Sequence, residues 1–381
     1  MVREVVDEGF NPSSQHAEGR RAKAALDDAR DRIAASLGVS RSEVLFTSGG
    51  TESNDLALLG AMRAAGPGGH VVVSAVEHHA VMRAVDRLRE EGFCASVVPV
   101  EPTGRVDPGR FAAALTPQTK LACVMYANNE VGTVQPVGEL ARIARERGVL
   151  FHTDAVAAAR WLPLDAATLG ADLLAISSHK LGAPAGTGVL YVRKGVALTP
   201  ILYGGAQEFA RRPGTENLLG IRATALALEL ATAERAAAHP RVAALRDRLE
   251  SSILAAIPGV RVNGAGAERV PNVLNVSFDA VEAPALLIAL DLEGIAASSG
   301  TACASGVLEP SHVLVSLGLP SRWRSGAIRF SLGTATASHE VERVAAVLPA
   351  LVARLREPAG AAPRGGMGRI EPNGARLEAE A

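Results

Sequence analysis

The sequence predicts an α/β protein. A large unit would carry a mostly parallel sheet covered by helices on both faces, and a smaller α+β unit would follow it. Three observations predict this. Short apolar runs recur from Val44 to Val192, with helical spacing between most of them. These runs are apolar throughout rather than alternating, as strands buried on both faces are. Near residue 225 the character changes to long Ala/Leu/Arg/Glu helical stretches, followed by only two more β-like runs. The chain has 381 residues, 48% of them hydrophobic, which is ample for a large core.

The elements follow in order. Ala22, Ala25, Leu26, Ala29, Ile33 and Leu37 fall at helical spacing, and Gly38 is a C-terminal stop. Val44 to Phe46 is β-like and leads through a Gly-rich turn, TSGGTES (Thr47 to Ser53), into a helix reaching about Ala65. Further β-like runs are Val71 to Ser74, Leu121 to Tyr126, Val149 to Asp154, Leu173 to Ser178 and Gly188 to Val192. Between them, Ala141 to Gly148 is helical, and Asp107 with Pro108 makes an N-cap and first position for another helix. Later, two helical stretches, Ala225 to Ala238 and Arg241 to Ile257, precede β-like Val273 to Phe278 and Ala327 to Leu332. A last helix runs from about His339 to Arg356. The expected division is a large unit over 11–224 and a small one over 225–357. The tail, 358–381, lacks apolar periodicity and reads as disordered.

Composition excludes several function classes. A net charge of -1 offers no basic excess for a general nucleic-acid surface. The three cysteines, Cys94, Cys123 and Cys303, form no CxxC pair, so neither a metal site nor a disulfide framework is expected, and a reducing cytoplasm suits them. Cys94 and Cys123 sit in strand-like runs and read as buried hydrophobes. The first ten residues have no apolar core segment of the kind a signal peptide needs. Apolar runs such as Leu286 to Leu290 are too short to span a bilayer, so the chain reads as soluble, with no membrane partner.

In sheets of this kind ligands sit beyond the C-terminal strand ends. The polar groups there are Thr47 to Glu52, Glu77 to His79, Asn128 to Glu130, Asp154, and Ser177 to Lys180. Lys180, at a strand end behind two serines and a histidine, is placed to form a Schiff base while its neighbours hold a phosphate; alone it would be a surface lysine. Asp154 suits the acid that protonates a pyridine ring, or else a helix N-cap. Gly49, Gly50 and Thr51 open a helix whose free N–H groups favour a phosphate, or form an ordinary capped turn. His78 can stack on a planar cofactor and shuttle protons, whereas His79 reads as solvated. Cys303, in the small-residue string SSGTACAS, suits a thiol that moves between partners. Arg329, amid Ile, Phe and Leu, needs an anion: a substrate carboxylate or an internal one.

These strings, in this order, resemble the cysteine desulfurases of the group I type, class V aminotransferase relatives among the fold-type I pyridoxal-phosphate transferases. The pieces are FTSGGTES, EHHAV, NNEVGTVQP, HTDA, SSHKLGAPAGTG, RPGTEN, PNVLNVSF, SSGTACASG, LEPSHVL and IRFSLG, from Asn11 to Gly333. The resemblance implies pyridoxal 5'-phosphate as cofactor, L-cysteine as substrate, and alanine with a Cys303 persulfide as products. It implies Lys180 as the Schiff-base lysine, His78 stacked on the ring and Asp154 on its nitrogen. Asn129 would reach the ring hydroxyl or substrate, and Gly50, Thr51, Ser177 and His179 the phosphate. Arg329 would hold the substrate carboxylate. Thr215 would reach the phosphate of a neighbouring subunit, which implies a homodimer, and a sulfur-acceptor protein (an iron–sulfur scaffold or a tRNA-thiolation protein) would follow. The pattern departs in four places: no LDNxATTP-like segment precedes Asn11, Ala157 replaces a glutamine, Pro213 a serine and Ala206 a glycine. Losing the amide at 157 removes one hydrogen bond, about 0.5–1.5 kcal/mol. A catalytically impaired homologue that binds PLP or serves as a scaffold, or a selenocysteine lyase, stays open as an alternative.

Overall fold

The computed structural model describes residues 11–299 and 311–357. Cys303 and the tail, for which the sequence suggests a carrier thiol and disorder, lie outside the described residues.

Seven strands form the large sheet: β1 (Val44–Thr47), β2 (His70–Ser74), β3 (Cys94–Val98), β4 (Thr119–Cys123), β5 (Leu150–Asp154), β6 (Leu173–Ser177) and β7 (Gly188–Val192). Their order is β1-β7-β6-β5-β4-β2-β3. The pairs β2/β3, β2/β4, β4/β5 and β5/β6 are parallel, while β7 runs antiparallel to both neighbours. The mostly parallel sheet predicted from the apolar runs is therefore present. Successive side chains go to opposite faces. Leu45, Val71, Val73, Leu121 and Cys123 pack on one side, and Phe46, Val72, Ala122 and Phe151 on the other.

Helices cover both faces. The first face meets α2 (Gly50–Ala65) and α3 (His79–Glu90). The second meets α1 (Ala17–Leu37), α4 (Pro108–Ala114) and α5 (Val137–Glu146). Gly38 ends α1 at φ 67, a left-handed conformation that glycine adopts without a Cβ penalty. Asp107 caps α4 by accepting from the Arg110 N–H.

The two helical stretches expected after residue 225 are one helix, α6 (Leu218–Ala256), running through Pro240. A proline inside a helix costs about 3 kcal/mol or more. Burial of one stripe on both sides of it, Ala225 and Leu228 before and Val242, Leu245 and Leu249 after, offsets that cost. A second sheet follows, β10-β9-β8, made of β8 (Val260–Asn263), β9 (Val273–Phe278) and β10 (Ala327–Ser331), all antiparallel. It carries α7 (Ala283–Leu292) and α8 (Ser338–Arg356). Edge strand β8 is absent from the β-like runs of the sequence, because VRVN lacks a continuous apolar run. Cys94 corrects the sequence reading: it is exposed, because it starts edge strand β3, whereas Cys123 is buried as expected. Among the described residues no helix is long and apolar enough to cross a membrane.

One buried ion pair ties distant parts together. Arg30 of α1 holds Glu208 through Nη1 at 2.9 Å and Nη2 at 2.5 Å, and also donates to the Val44 carbonyl at 2.6 Å. Its guanidinium lies over the Phe46 ring. Glu208, Phe209 and Ala210 have positive φ (47, 58 and 60°), costly for residues with a Cβ. The Arg30 clamp holds that turn. Arg30→Met is expected to destabilise the fold by about 3–5 kcal/mol, because it leaves the buried Glu208 carboxylate without its counter-charge, held only by the Phe46 N–H. A lowered urea midpoint at unchanged m-value would show it.

Candidate active site

The C-terminal ends of β1, β2, β4, β5 and β6 converge on a cavity of about 200 Å³. It is lined by Gly50, Thr51, Asn54, His78, Met125, Asn129, Asp154, Val156, Ala157, Ser177, His179 and Lys180. A larger open groove of about 640 Å³ beside Arg30 and Glu208 contains none of the residues expected to bind cofactor or substrate, so size does not locate the chemistry.

At one end of the cavity α2 begins. Gly50 is its first residue, and a Cβ there would come within 2.7 Å of Val156 Cγ2. Only glycine lets the first turn sit this close to β5 and β6. The first N–H groups of a 16-residue helix, together with its dipole, favour an anion. Ser177 Oγ lies 2.9 Å from His179 Nδ1 on the same wall.

Asp154 lines the same cavity, buried at the tip of β5. Its Oδ1 accepts from the Val156 N–H at 2.9 Å, and its Oδ2 from Asn54 Nδ2 at 2.7 Å. Burial raises its pKa, and the Val156 N–H, the Asn54 amide and His78 pull it back down. Behind Asn54, its Oδ1 lies 2.8 Å from Nε2 of buried His152.

His78 caps α3: its Nδ1 accepts from the Ala80 N–H at 3.1 Å, which leaves the proton on Nε2. The preceding Glu77 is fully buried with no cation beside it. It touches Ser74 Oγ at 2.5 Å and accepts from the Met125 N–H at 2.8 Å, and burial pushes its pKa up to about 8. It links Ser74 of β2 to Met125 just past β4, placing cavity residues His78 and Met125 on either side.

Lys180 sits in the short turn of helix after β6 and lines the cavity. The residue is exposed along much of its length, but partial burial of its side chain, then the nearby Arg329 charge, lowers its pKa. Arg329, on β10, donates from Nη1 to the Asn129 carbonyl at 3.1 Å, and its buried Nε has no partner. Burial lowers its pKa and Glu130 opposes the shift. Glu130 Oε2 in turn accepts from Ser311 Oγ at 2.5 Å, while the Glu77 carbonyl lies 2.8 Å from His312 Nε2.

The structure thus gathers eight of the residues singled out in the sequence, namely Gly50, Thr51, His78, Asn129, Asp154, Ser177, His179 and Lys180, around one cavity. Arg329 joins them through Asn129. Thr215 is exposed and does not line the cavity. Asn54 and His152 were missed. Both had a signal: Asn54 lies one helical turn beyond Gly50, and His152 lies two residues before Asp154, on the same face of β5.

Comparison with known proteins agrees with this geometry. The family model described as aminotransferase class-V matches residues 5–344. A cysteine desulfurase of Nostoc sp. is 44% identical over 346 residues, covering 91% of this chain and 86% of that protein. Cysteine desulfurase NifS of Azotobacter vinelandii is 43% identical over 347 residues, covering 91% and 86%. A solved NifS-like protein superposes with a TM-score of 0.85 at 32% identity, covering 91% of this chain and 92% of that one. With its mostly parallel sheet, the cavity at the strand ends and these likenesses, the chain belongs to the cysteine desulfurases of the class-V aminotransferase family.

Proposed function

We propose that the chain converts L-cysteine to L-alanine and retains the sulfur as a persulfide on Cys303. The observation that carries this reading is the single cavity joining Gly50, Asp154 and Lys180. These residues fit pyridoxal 5'-phosphate. A helix N-terminus that a Cβ would block suits its phosphate, a buried carboxylate suits its ring nitrogen, and an amine of lowered pKa suits its aldehyde. When bound, this cofactor supplies an electron sink for the substrate's α-carbon.

The chain's own residues divide the remaining work. Thr51, Ser177 and His179 would hold the phosphate with the α2 N-terminus, and His78 would lie against the ring. Asn129 would orient the ring hydroxyl or the substrate. Arg329 would bind the substrate carboxylate with the donors it does not use on Asn129. Lys180, with its depressed pKa, would take the α-proton. The Cys303 thiolate would then attack the substrate sulfur: the S–S bond forms, the C–S bond breaks, and no external oxidant or reductant is needed. Ala157 leaves the ring hydroxyl one amide short, an effect of hydrogen-bond size that leaves the rest of the cradle in place.

Arg329→Ala is expected to raise KM for cysteine about 10- to 100-fold, the scale of a lost charge-assisted pair, with a smaller fall in kcat. Steady-state alanine production across cysteine concentrations checks it.

Two partners complete the reading. A second copy of the chain would bring Thr215 to the neighbouring phosphate, supported by its exposure away from its own cavity and by exposed Leu202, Tyr203 and Phe209 nearby. A sulfur-acceptor protein, either an iron–sulfur scaffold or a tRNA-thiolation protein, would take the persulfide. The division into 11–224 and 225–357 is part of the same proposal, with Arg329 supplied by the smaller unit. The test is an absorbance spectrum of the purified chain before and after L-cysteine, with alanine quantified. A yellow protein that changes on cysteine and releases alanine is expected; a yellow protein that makes none overturns the activity, and a colourless one that pyridoxal phosphate cannot reconstitute overturns the cofactor.

A further inference from the structure

Asp154, Asn54 and His152 form a buried row whose direction can be worked out from donors and acceptors. Asn54 presents one amide end to Asp154 Oδ2 at 2.7 Å and the other to His152 Nε2 at 2.8 Å. Two arrangements are self-consistent. In the first, Asp154 is ionised, the Asn54 NH2 donates to it, and the Asn54 oxygen accepts from a His152 Nε2–H. In the second, Asp154 carries a proton and donates it to the Asn54 oxygen; the amide is flipped and its NH2 donates to a bare Nε2, so the imidazole proton sits on Nδ1. Mixed arrangements set two donors or two acceptors face to face, and a proton placed on Oδ1 instead would compete with the Val156 N–H that this oxygen accepts at 2.9 Å. The charge of Asp154 and the tautomer of His152 are therefore linked through one amide.

The surroundings favour the first arrangement. His152 Nδ1 is buried and makes no hydrogen bond. In the first arrangement this atom is a bare acceptor; in the second it is an N–H without a partner, and buried orphan donors are the rarer kind. His152 is fully buried, and burial pushes its pKa down to about 4, so the doubly protonated ring plays no part near neutrality. A loose backbone hydrogen bond to Leu173, across the β5/β6 pair, opposes that shift, but no contact of Nδ1 reaches full hydrogen-bond geometry, so it is the one competitor for the Nδ1 proton. The Val156 N–H holds the other oxygen of Asp154.

We propose that Asn54 and His152 are positioning residues, a one-directional hydrogen-bond relay that keeps the Asp154 carboxylate ionised and aimed into the cavity at the cofactor's ring nitrogen. What Asp154 faces rests on the cofactor reading above; the direction of the relay does not. His152 acts as the lock, because its Nε2–H engages the Asn54 oxygen and so turns the amide's N–H toward the carboxylate. Removing the lock frees the amide to flip, and the carboxylate then takes up a proton more readily.

The test is nitrogen NMR of the full chain with 15N-labelled histidine, with and without pyridoxal phosphate, the His152 signal being identified by its loss in His152→Gln. A protonated Nε2 with a bare Nδ1 at pH 7 is expected in both samples. An Nδ1–H tautomer, with the Leu173 carbonyl as its acceptor, overturns the relay. A second arm follows loss of cofactor on dialysis and its absorbance. Asn54→Ala and His152→Phe are expected to lose it about tenfold faster, the scale of one charge-assisted hydrogen bond, with an altered ring spectrum. His152→Gln, which keeps a donor toward Asn54, is expected to remain near the parent. Equal loss in His152→Gln and His152→Phe overturns the lock. If the chain binds no pyridoxal phosphate at all, the cofactor reading fails while the tautomer measurement still decides the relay.

Discussion

Replacing Lys180 by alanine is expected to cut alanine production from L-cysteine by about 100- to 10,000-fold, the range of a lost general base. The argument starts from position. Lys180 follows β6 directly, and its side chain lines the cavity that Asp154 enters from the C-terminal end of neighbouring, parallel β5. It makes no hydrogen bond or ion pair with a described residue, so alanine removes a reactive amine without breaking a structural contact. The thermal midpoint should hardly move, which separates lost chemistry from lost fold. The lowered pKa has a further consequence. Burial, then the Arg329 charge, disfavours the protonated amine, so more of it is neutral, and the neutral form is the base. Activity should rise with pH as Lys180 loses its proton. Removing the charge with Arg329→Gln lets the Lys180 pKa rise, so the acidic limb of the pH–rate profile should move to higher pH, apart from the change in KM. A limb that stays in place would mean that another group sets it.

How much of this was legible before the structure depends on how local each feature is. Strand ends, the Gly-rich turn and Asp154 were readable because a strand-to-helix junction is written in a few consecutive residues. Pro240 misled, because a local breaker was overruled by packing along the whole of α6. The Arg30–Glu208 pair could not be read at all: its partners are 178 residues apart, and nothing near either one names the other. Asn54 stood in plain view on the first turns of α2, but its meaning depends on β5 delivering Asp154 and His152 to its two ends. Cys94 misled for the opposite reason. Its run looks strand-like and is a strand, but an edge strand leaves its first residue exposed.

Cys303→Ala is expected to abolish persulfide formation and to reduce alanine production without added thiol to background, whereas Cys94→Ala should match the parent. The three cysteines differ in ways that leave one candidate. Cys123 is buried, and burial, then the Glu77 and Asp154 charges, holds its thiol pKa well above the ordinary value, so it is not a thiolate near neutrality. Cys94 is exposed but begins β3; the cavity collects at the C-terminal ends of the strands, so Cys94 lies at the wrong end of the sheet. Cys303 belongs to the segment 300–310, whose flanks are both tied to the site. On one side Ser298 exchanges backbone hydrogen bonds with Arg329, the residue proposed for the substrate carboxylate. On the other, Ser311 donates to Glu130 and His312 meets the carbonyl of Glu77, the neighbour of His78. Labelling the persulfide and quantifying alanine in the same reaction checks both products. Alanine released at the parent rate by Cys303→Ala would assign the nucleophile elsewhere; alanine lost together with the label would assign both to this one sulfur.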